Sequence, residues 1–340
     1  MQQKIFVTGG TGFLGSYLLR YLVHQGYSNI YAIKRPTSSL VLVKEIANQI
    51  NWIEGDILDH QFLEEAMNGM EQVYHSAAMV SFDPRDATTM LAINEQGTAN
   101  IVNTALLHNI KKLVHISSIA AIGQEIEGQY ISEVTKWKSD PKNSTYAKSK
   151  YAAEMQVWRG IAEGLNAAIL NPSVILGSGI WNTSTCKIFQ TYGNGFPLYS
   201  TGTNGFVDVR DVAKLAIKLM ESSLMAERFI VSAENLSMQA VFNEISQQAG
   251  QQLPKWKITP AMISIGWRLE WLKSKLTGKS PLLTKESARS ANKQSAYSNQ
   301  KSVKTFDYDY IPIEQTIKAT VAQFLEAKTD GMKARVLPLV

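Results

Sequence analysis

The sequence predicts an α/β fold: a doubly wound parallel sheet covered by helices on both faces, followed by a smaller, mostly helical C-terminal cap. Three observations carry this. Strand-like apolar runs alternate with helical patterns from Lys4 through Val174, the pattern of a parallel sheet with crossover helices. The first run, Ile5-Phe6-Val7, passes straight into a glycine turn and then into a helix marked by Tyr17, Leu18, Leu19, Tyr21 and Leu22. Beyond Val174 strand signals thin out, and helical stretches near Met238 to Ala249, Pro260 to Leu276 and Ile313 to Leu325 take over.

The turn is Thr8-Gly9-Gly10-Thr11-Gly12-Phe13-Leu14-Gly15. A helix that starts at such a turn points its unpaired N–H groups back at it, which makes a cradle for a pyrophosphate. Gly10 is expected to allow the tight turn, Gly12 the close approach of backbone to phosphate, and Gly15 the close seat of helix on strand. The second strand, Ile30 to Ile33, ends in Lys34-Arg35 where NAD-binding chains carry an acidic residue. A carboxylate repels a 2′-phosphate and a guanidinium holds one, so the sequence favours NADP(H) over NAD(H) as cofactor.

Leu40 to Ile50 reads as a short helix and Asn51-Trp52-Ile53 as a third strand, ending at Gly55-Asp56. Asp56, followed by Ile57, suits either the adenine amino group or the cap of the next turn. The fourth strand, Gln72 to His75, runs into Ser76-Ala77-Ala78, and these small residues leave room for a cofactor where ligands sit in such sheets. His75 lies in an apolar strand and reads as packed. A long helix from Ala87 to His108 carries Asn94 inside its apolar stripe, either as a buried hydrogen-bonding residue or as part of the site. The fifth strand, Leu113 to Ile116, delivers Ser117-Ser118 to the rim, and the sixth, Ala168 to Leu170, leads to Asn171-Pro172-Ser173-Val174. Phe206 to Val209 opens a helix that Asp208 and Asp211 serve at its N-terminus, and Phe229 to Val231 is one more strand. The division that follows is a Rossmann-type NADP-binding domain over 1–176, with 207–233 returning to it, a substrate-binding cap over 177–330, and a tail over 331–340 that is poorly ordered. Trp181, Phe189, Tyr192, Phe196 and Tyr199 fit either an apolar substrate pocket or the core of the cap.

The chemistry lies in Tyr146-Ala147-Lys148-Ser149-Lys150, which puts a phenol and an ammonium on one helix face at i and i+4. A nearby ammonium is expected to lower the phenol pKa from about 10, so that Tyr146 can donate and accept protons. Tyr297 and Lys301 repeat the spacing. Only Tyr146 follows a strand that ends in a serine at the rim, where Ser118 can hold the oxygen that Tyr146 protonates.

In 340 residues with 45% apolar and 19% charged side chains, the composition is that of an ordinary globular protein. The net charge of +5 comes without a basic tract, so nucleic acid is not indicated. The single cysteine, Cys186, excludes an internal disulfide and a cysteine metal cluster and suits a reducing cytoplasm. The five histidines lack metal-ligand spacing, no signal peptide is expected before the first strand, and no apolar run approaches the ~20 residues that span a bilayer. In the 260–276 stretch, Ile263, Trp267, Trp271 and Leu272 suit packing over the cleft or contact with a membrane surface.

Taken together, TGGTGFLG, Gly55-Asp56, His75-Ser76-Ala77-Ala78, Asn94 with Gly97-Thr98, Ser117-Ser118, YAKSK, Pro172 with Gly177, and VDVRDVA resemble the extended short-chain dehydrogenase/reductase family, of the NAD-dependent epimerase/dehydratase type. Arg35 and the segments NPSVILGSG and GWRLEWLKSKLTGKSP look most like its dihydroflavonol-reductase branch. The resemblance implies that Tyr146 is the proton donor and acceptor, that Lys150 also binds the nicotinamide ribose, that Ser118 orients a carbonyl, and that Asn94 completes the catalytic set. It places the cofactor against Thr8 to Gly15, Lys34, Arg35, Asp56, Ile57, Ala77, Ala78, Lys150, Pro172 and Val174, and the substrate against Val80, Phe82, Ser118, Tyr146 and Ser173. It further implies a homodimer through the Asn94 to Ala105 and Tyr146 helices. The expected activity is NADP(H)-dependent reduction of a ketone or aldehyde, or its reverse. A sugar-nucleotide epimerase or dehydratase that keeps NAD bound, a hydroxysteroid dehydrogenase and a non-catalytic NADP sensor are the alternatives. Many sugar-nucleotide members carry Arg where this chain has Asn171, which counts against a nucleotide-sugar substrate.

Overall fold

The apolar runs assemble into one seven-stranded parallel sheet in the computed structural model, which describes residues 3–123, 129–141, 143–259, 262, 267–268 and 292–340. In chain order the strands are β1 (Ile5–Thr8), β2 (Ile30–Lys34), β3 (Asn51–Glu54), β4 (Gln72–His75), β5 (Lys112–Ile116), β6 (Ala167–Pro172), β7 (Val174–Leu176), β8 (Leu198–Tyr199), β9 (Thr203–Asp208), β10 (Arg228–Val231), β11 (Glu234–Ser237) and β12 (Trp256–Lys257). The large sheet runs β10-β6-β5-β4-β1-β2-β3. β1 pairs with β2 on one side and β4 on the other, so strand order reverses there and a crevice opens above their C-terminal ends. β1, β4, β5 and β6 are buried along their whole length, as strands covered on both faces must be.

The helices are α1 (Phe13–His24), α2 (His60–Ala66), α3 (Ala87–Leu91), α4 (Gly97–Leu107), α5 (Thr145–Ala162), α6 (Cys186–Tyr192), α7 (Val209–Glu221), α8 (Met238–Gln248), α9 (Gln300–Phe306) and α10 (Ile313–Thr329). One face of the sheet is sealed by α1 and α7, where Leu18, Leu22, Val212, Leu215 and Leu219 join the core. The other is sealed by α2, α4 and α5 through Leu63, Ile101, Val102 and Val157. Each such side chain contributes about 1.5–3 kcal/mol of burial. The cap has its own core: Trp181 meets Phe324 edge-on at 5.4 Å, and Tyr192 stacks on Phe242 at 3.9 Å. Trp181, Phe189 and Tyr192 therefore fill the cap, and Phe196 packs edge-on against Tyr192 at its surface.

Several expectations are corrected. Leu40 to Ile50 forms two short 3₁₀ turns, Val41–Val43 and Ala47–Gln49, which bury Leu42 and Val43. The helix from Ala87 to His108 is interrupted by a π turn at Ala92–Gln96, centred on Asn94. The main sheet gives up the chain at Pro172. Val174 already belongs to β7, which pairs with β9 in a three-stranded sheet completed by β11. The chain then returns through α7 and β10, the latter parallel to β6. Asp208 caps α7 by accepting from Arg210 N, and Asp211 stands in its first turn as expected, while its carboxylate also accepts from the Tyr308 hydroxyl and Ile311 N. The tail is ordered: Leu337 is 2% exposed and its N–H donates to Tyr17 Oη, Tyr21 and Val340 bond each other, and Lys333 O accepts from Trp181. The 260–276 stretch lies outside the described residues except at 262, 267 and 268. Among the described residues, no helix is long and apolar enough to cross a membrane.

Candidate active site

The cradle starts where β1 ends. Gly9, and not Gly10, takes the left-handed conformation (φ +73°), and a Cβ there would lie 2.7 Å from Ala77 N just past the neighbouring strand. A Cβ on Gly15 would lie 2.1 Å from Gly9 O, so α1 sits on the turn as closely as backbone allows. Gly12 stands at the N-cap of α1 without a side-chain acceptor, which leaves the first N–H groups facing the turn. Phe13 and Leu14 anchor the helix start to the core. This open helix start, floored by glycine, fits a dinucleotide pyrophosphate.

Thr8, the last residue of β1, begins a hydrogen-bonded line across the sheet. Burial presses the His75 pKa down to about 3, so its ring is neutral. The Thr98 hydroxyl gives its one proton to Asn94 O (2.6 Å) and must accept from His75 Nε2 (2.9 Å). The bare Nδ1 then accepts from the Thr8 hydroxyl (2.8 Å), which in turn accepts from Ala77 N (3.1 Å). Asn94 is 1% exposed. Its amide accepts from Met79 N (2.7 Å) and donates to Met79 O (2.9 Å) and to Ser149 Oγ (2.9 Å), whose hydroxyl donates to Tyr146 O (2.8 Å). Asn94 is thus a buried residue that fixes backbone, and the π turn lets its own carbonyl bond Thr98.

α5 carries Tyr146 and Lys150 on its inner face. Ser144 caps it, accepting from Ala147 N at 3.1 Å, and so sets its first turn beside the rim. Ser118, just past β5, uses its oxygen to accept from Ala120 N (3.1 Å), and its hydroxyl is also hydrogen-bonded with the Tyr146 phenol. It faces the Tyr146 phenol. Burial raises the phenol above its ordinary value and Ser118 opposes the rise, so the expected acidified phenol is corrected. The Lys150 ammonium, 2% exposed, donates to Ile116 O at 3.0 Å, and burial lowers its pKa to about 8, opposed by Glu154. The Phe82 ring stands 6.1 Å from that of Tyr146.

The remaining expected residues divide. Ala77 and Ala78 follow β4 at the crevice, and Pro172 ends β6. Arg35 is exposed, and its guanidinium has no partner among the described residues, whereas Lys34 is paired with Glu54 of β3. Asp56 bonds Leu58 N (2.9 Å) and shapes the turn, and Ile57 packs under Gly97. Ser173 is buried with its hydroxyl unpartnered, and Val80 is 63% exposed. Tyr297 is buried in a cluster with Ile131 and Ile230, and Lys301 pairs with Glu227, so this second Tyr/Lys pair is structural. Sequence reasoning missed Glu154 and singled out Asn171 only for its bearing on the substrate; both are fully buried beside the site. A carboxylate four residues beyond Lys150, on the same helix face, was the signal for the first.

Comparison with known proteins bears on the family and the fold. The sequence model of the NAD dependent epimerase/dehydratase family matches residues 5–231. A Synechocystis protein provisionally named dihydroflavonol 4-reductase is 30% identical over 334 residues, covering 95% of each chain. Cinnamoyl-CoA reductase 1 of Petunia hybrida is 29% identical, covering 67% of this chain and 72% of its own. Among solved structures, that of gox2253 superposes with a TM-score of 0.81 at 28% identity, covering 96% and 98% of the two chains. The UDP-glucose 4-epimerase of Thermotoga maritima, solved with UDP-glucose, gives 0.77 at 19% identity over 96% and 100%, a likeness of fold.

Proposed function

The chain belongs to the NAD dependent epimerase/dehydratase family, and from that premise we propose that it is an NADP(H)-dependent oxidoreductase that reduces a ketone or aldehyde of moderately apolar character. The observation that carries the reading is the meeting of Phe82, Ser118 and Tyr146 beside the β1–β4 crevice. The relatives named for dihydroflavonol and cinnamoyl-CoA reduction support it. NADPH, when bound, supplies a hydride. Thr8 to Gly15 would hold its pyrophosphate, Arg35 its 2′-phosphate, and Asp56 to Ile57 with Ala77 and Ala78 would flank its adenosine half and the bridge to the nicotinamide. Lys150 would hold the nicotinamide ribose, with Pro172 and Val174 beside it.

The residues of the chain then have separable tasks. Ser118 donates its hydroxyl proton as a hydrogen bond to the substrate oxygen. The Tyr146 phenol, kept protonated by burial, gives its proton to the same oxygen, which suits the reducing direction. Lys150 keeps a positive charge beside the phenol as that proton leaves. Phe82 offers an apolar wall. We extend the proposal to a homodimer through the outer faces of α4 and α5, where Leu107 is 58% exposed, and to a reducing cytoplasm, which suits the buried thiol of Cys186. Light scattering on the purified protein tests the dimer.

The deciding experiment is NADPH consumption against a panel of aromatic and aliphatic carbonyls. Turnover with NADPH preferred over NADH is expected. Purified protein that retains NAD and consumes NADPH with no carbonyl would instead identify an epimerase or dehydratase.

A further inference from the structure

One group beside the site has no task in the scheme above. Glu154 is 0% exposed, and its carboxylate receives four hydrogen bonds: from Ser117 Oγ at 2.6 Å, Asn171 Nδ2 at 2.7 Å, Arg228 Nη1 at 2.9 Å and Trp158 Nε1 at 3.2 Å. A buried charge survives only with such a set of donors. These donors tie four pieces of chain together. Ser117 precedes Ser118. Asn171, at the end of β6, also donates to Ser118 O at 3.0 Å. Arg228, on β10, reaches on to Glu133 O in the loop between β5 and α5. Glu154 itself lies one turn beyond Lys150 and two beyond Tyr146 on α5.

We propose that Glu154 is a positioning residue: its buried carboxylate locks the strand end that presents Ser118 to the helix that presents Tyr146 and Lys150, and turns its negative charge toward the Lys150 ammonium. This also explains Asn171. The side chain that stands where many nucleotide-sugar enzymes have arginine is 0% exposed and braces Ser118 through its carbonyl.

On α5, Glu154 faces Lys150. From β4 and β5 come His75 and His115, whose rings lie 5.1 Å apart. Burial holds both imidazoles well below their ordinary value, so both are neutral. Arg228 faces Glu154 from β10. Glu154 therefore supplies the negative charge that opposes the burial of Lys150.

The inference rests on the proposed reductase reading for its kinetic arm, so wild type and Tyr146→Phe are assayed first. Turnover that disappears in Tyr146→Phe secures that reading independently of Glu154. Glu154→Gln is then expected to lower kcat more than it changes KM, and to move the alkaline limb of the kcat profile down by about one pH unit. Glu154→Asp, which keeps the charge but shortens the reach, should lose rate while leaving that limb in place, and it serves if the Gln variant does not fold. A second arm needs no substrate: the ¹³Cε signal of Lys150, assigned with Lys150→Arg, should titrate about one unit lower in Glu154→Gln than in wild type. If the limb and the Lys150 titration both stay put in Glu154→Gln, or the limb moves in Glu154→Asp, the proposal is overturned. Absence of turnover in wild type would refute the reductase reading alone, and the titration would still decide on Glu154.

Discussion

On the α4 and α5 face of the sheet, Thr8, His75, Thr98, Asn94 and Ser149 pass hydrogen bonds in a fixed direction from the cofactor turn to the backbone of Tyr146. On the α1 and α7 face buried carboxylates join distant chain. Asp208 holds Arg210 at 2.7 Å and Thr316 at 2.7 Å, and Asp211 holds Tyr308 at 2.7 Å. The first set contributes orientation and the second contributes attachment. Neutral partners with one permitted direction fix where a side chain points. Carboxylates bring segments about a hundred residues apart into one body, at the cost of desolvating them.

If that contrast holds, substitutions on the two faces should separate chemistry from stability. Tyr146→Phe should lower turnover by about 10²–10⁴ or more, the scale of general acid catalysis, with NADPH affinity and melting temperature nearly unchanged. A Phe variant that also melts early would blur the distinction. Asp208→Ala removes the cap of α7 and strands the Arg210 guanidinium, which is 6% exposed. It should cost about 3–5 kcal/mol in chemical denaturation while leaving kcat per folded molecule intact.

Asp211 gives the pH signature of the attachment face. Burial lifts its pKa from 3.8 to about 6, so the folded chain binds this proton more readily than the unfolded one. The associated stability is complete below the ordinary value and is lost as pH rises through 6. The effect amounts to up to about 3 kcal/mol. Relative to Asp211→Asn, wild type should therefore gain melting temperature as pH falls from about 7 to about 5. The smallest effect belongs to the cofactor rim: Arg35→Ala should weaken NADPH by about tenfold relative to NADH in a fluorescence titration, since one charge-assisted contact is lost. Equal losses for both cofactors would remove Arg35 from the 2′-phosphate.

What the sequence revealed follows the same division. Local rules reach the glycine turn, the strand ends and the Tyr146/Lys150 spacing, because each is set by a few adjacent residues. They do not single out Gly9 as the left-handed glycine, since the demand on it comes from Ala77, a strand away. They read Asn94 as polar among apolar neighbours but cannot show that its amide is spent on Met79 and Ser149. Glu154, Asn171 and Arg228 meet only in the folded chain. β7, β8, β11 and β12 are two to four residues long, too short for alternation to register. The tail reads as featureless because its order comes from partners 152 to 320 positions earlier.

Those partners set the timing of assembly. Tyr17 and Tyr21 on the first helix bond residues 337 and 340, about as far apart in sequence as two contacts here can be. During synthesis, α1 emerges well before residues 337–340, so this part of its cover arrives only with them. Removing 337–340 would uncover Tyr17 and Tyr21 on the helix on which the cofactor turn rests.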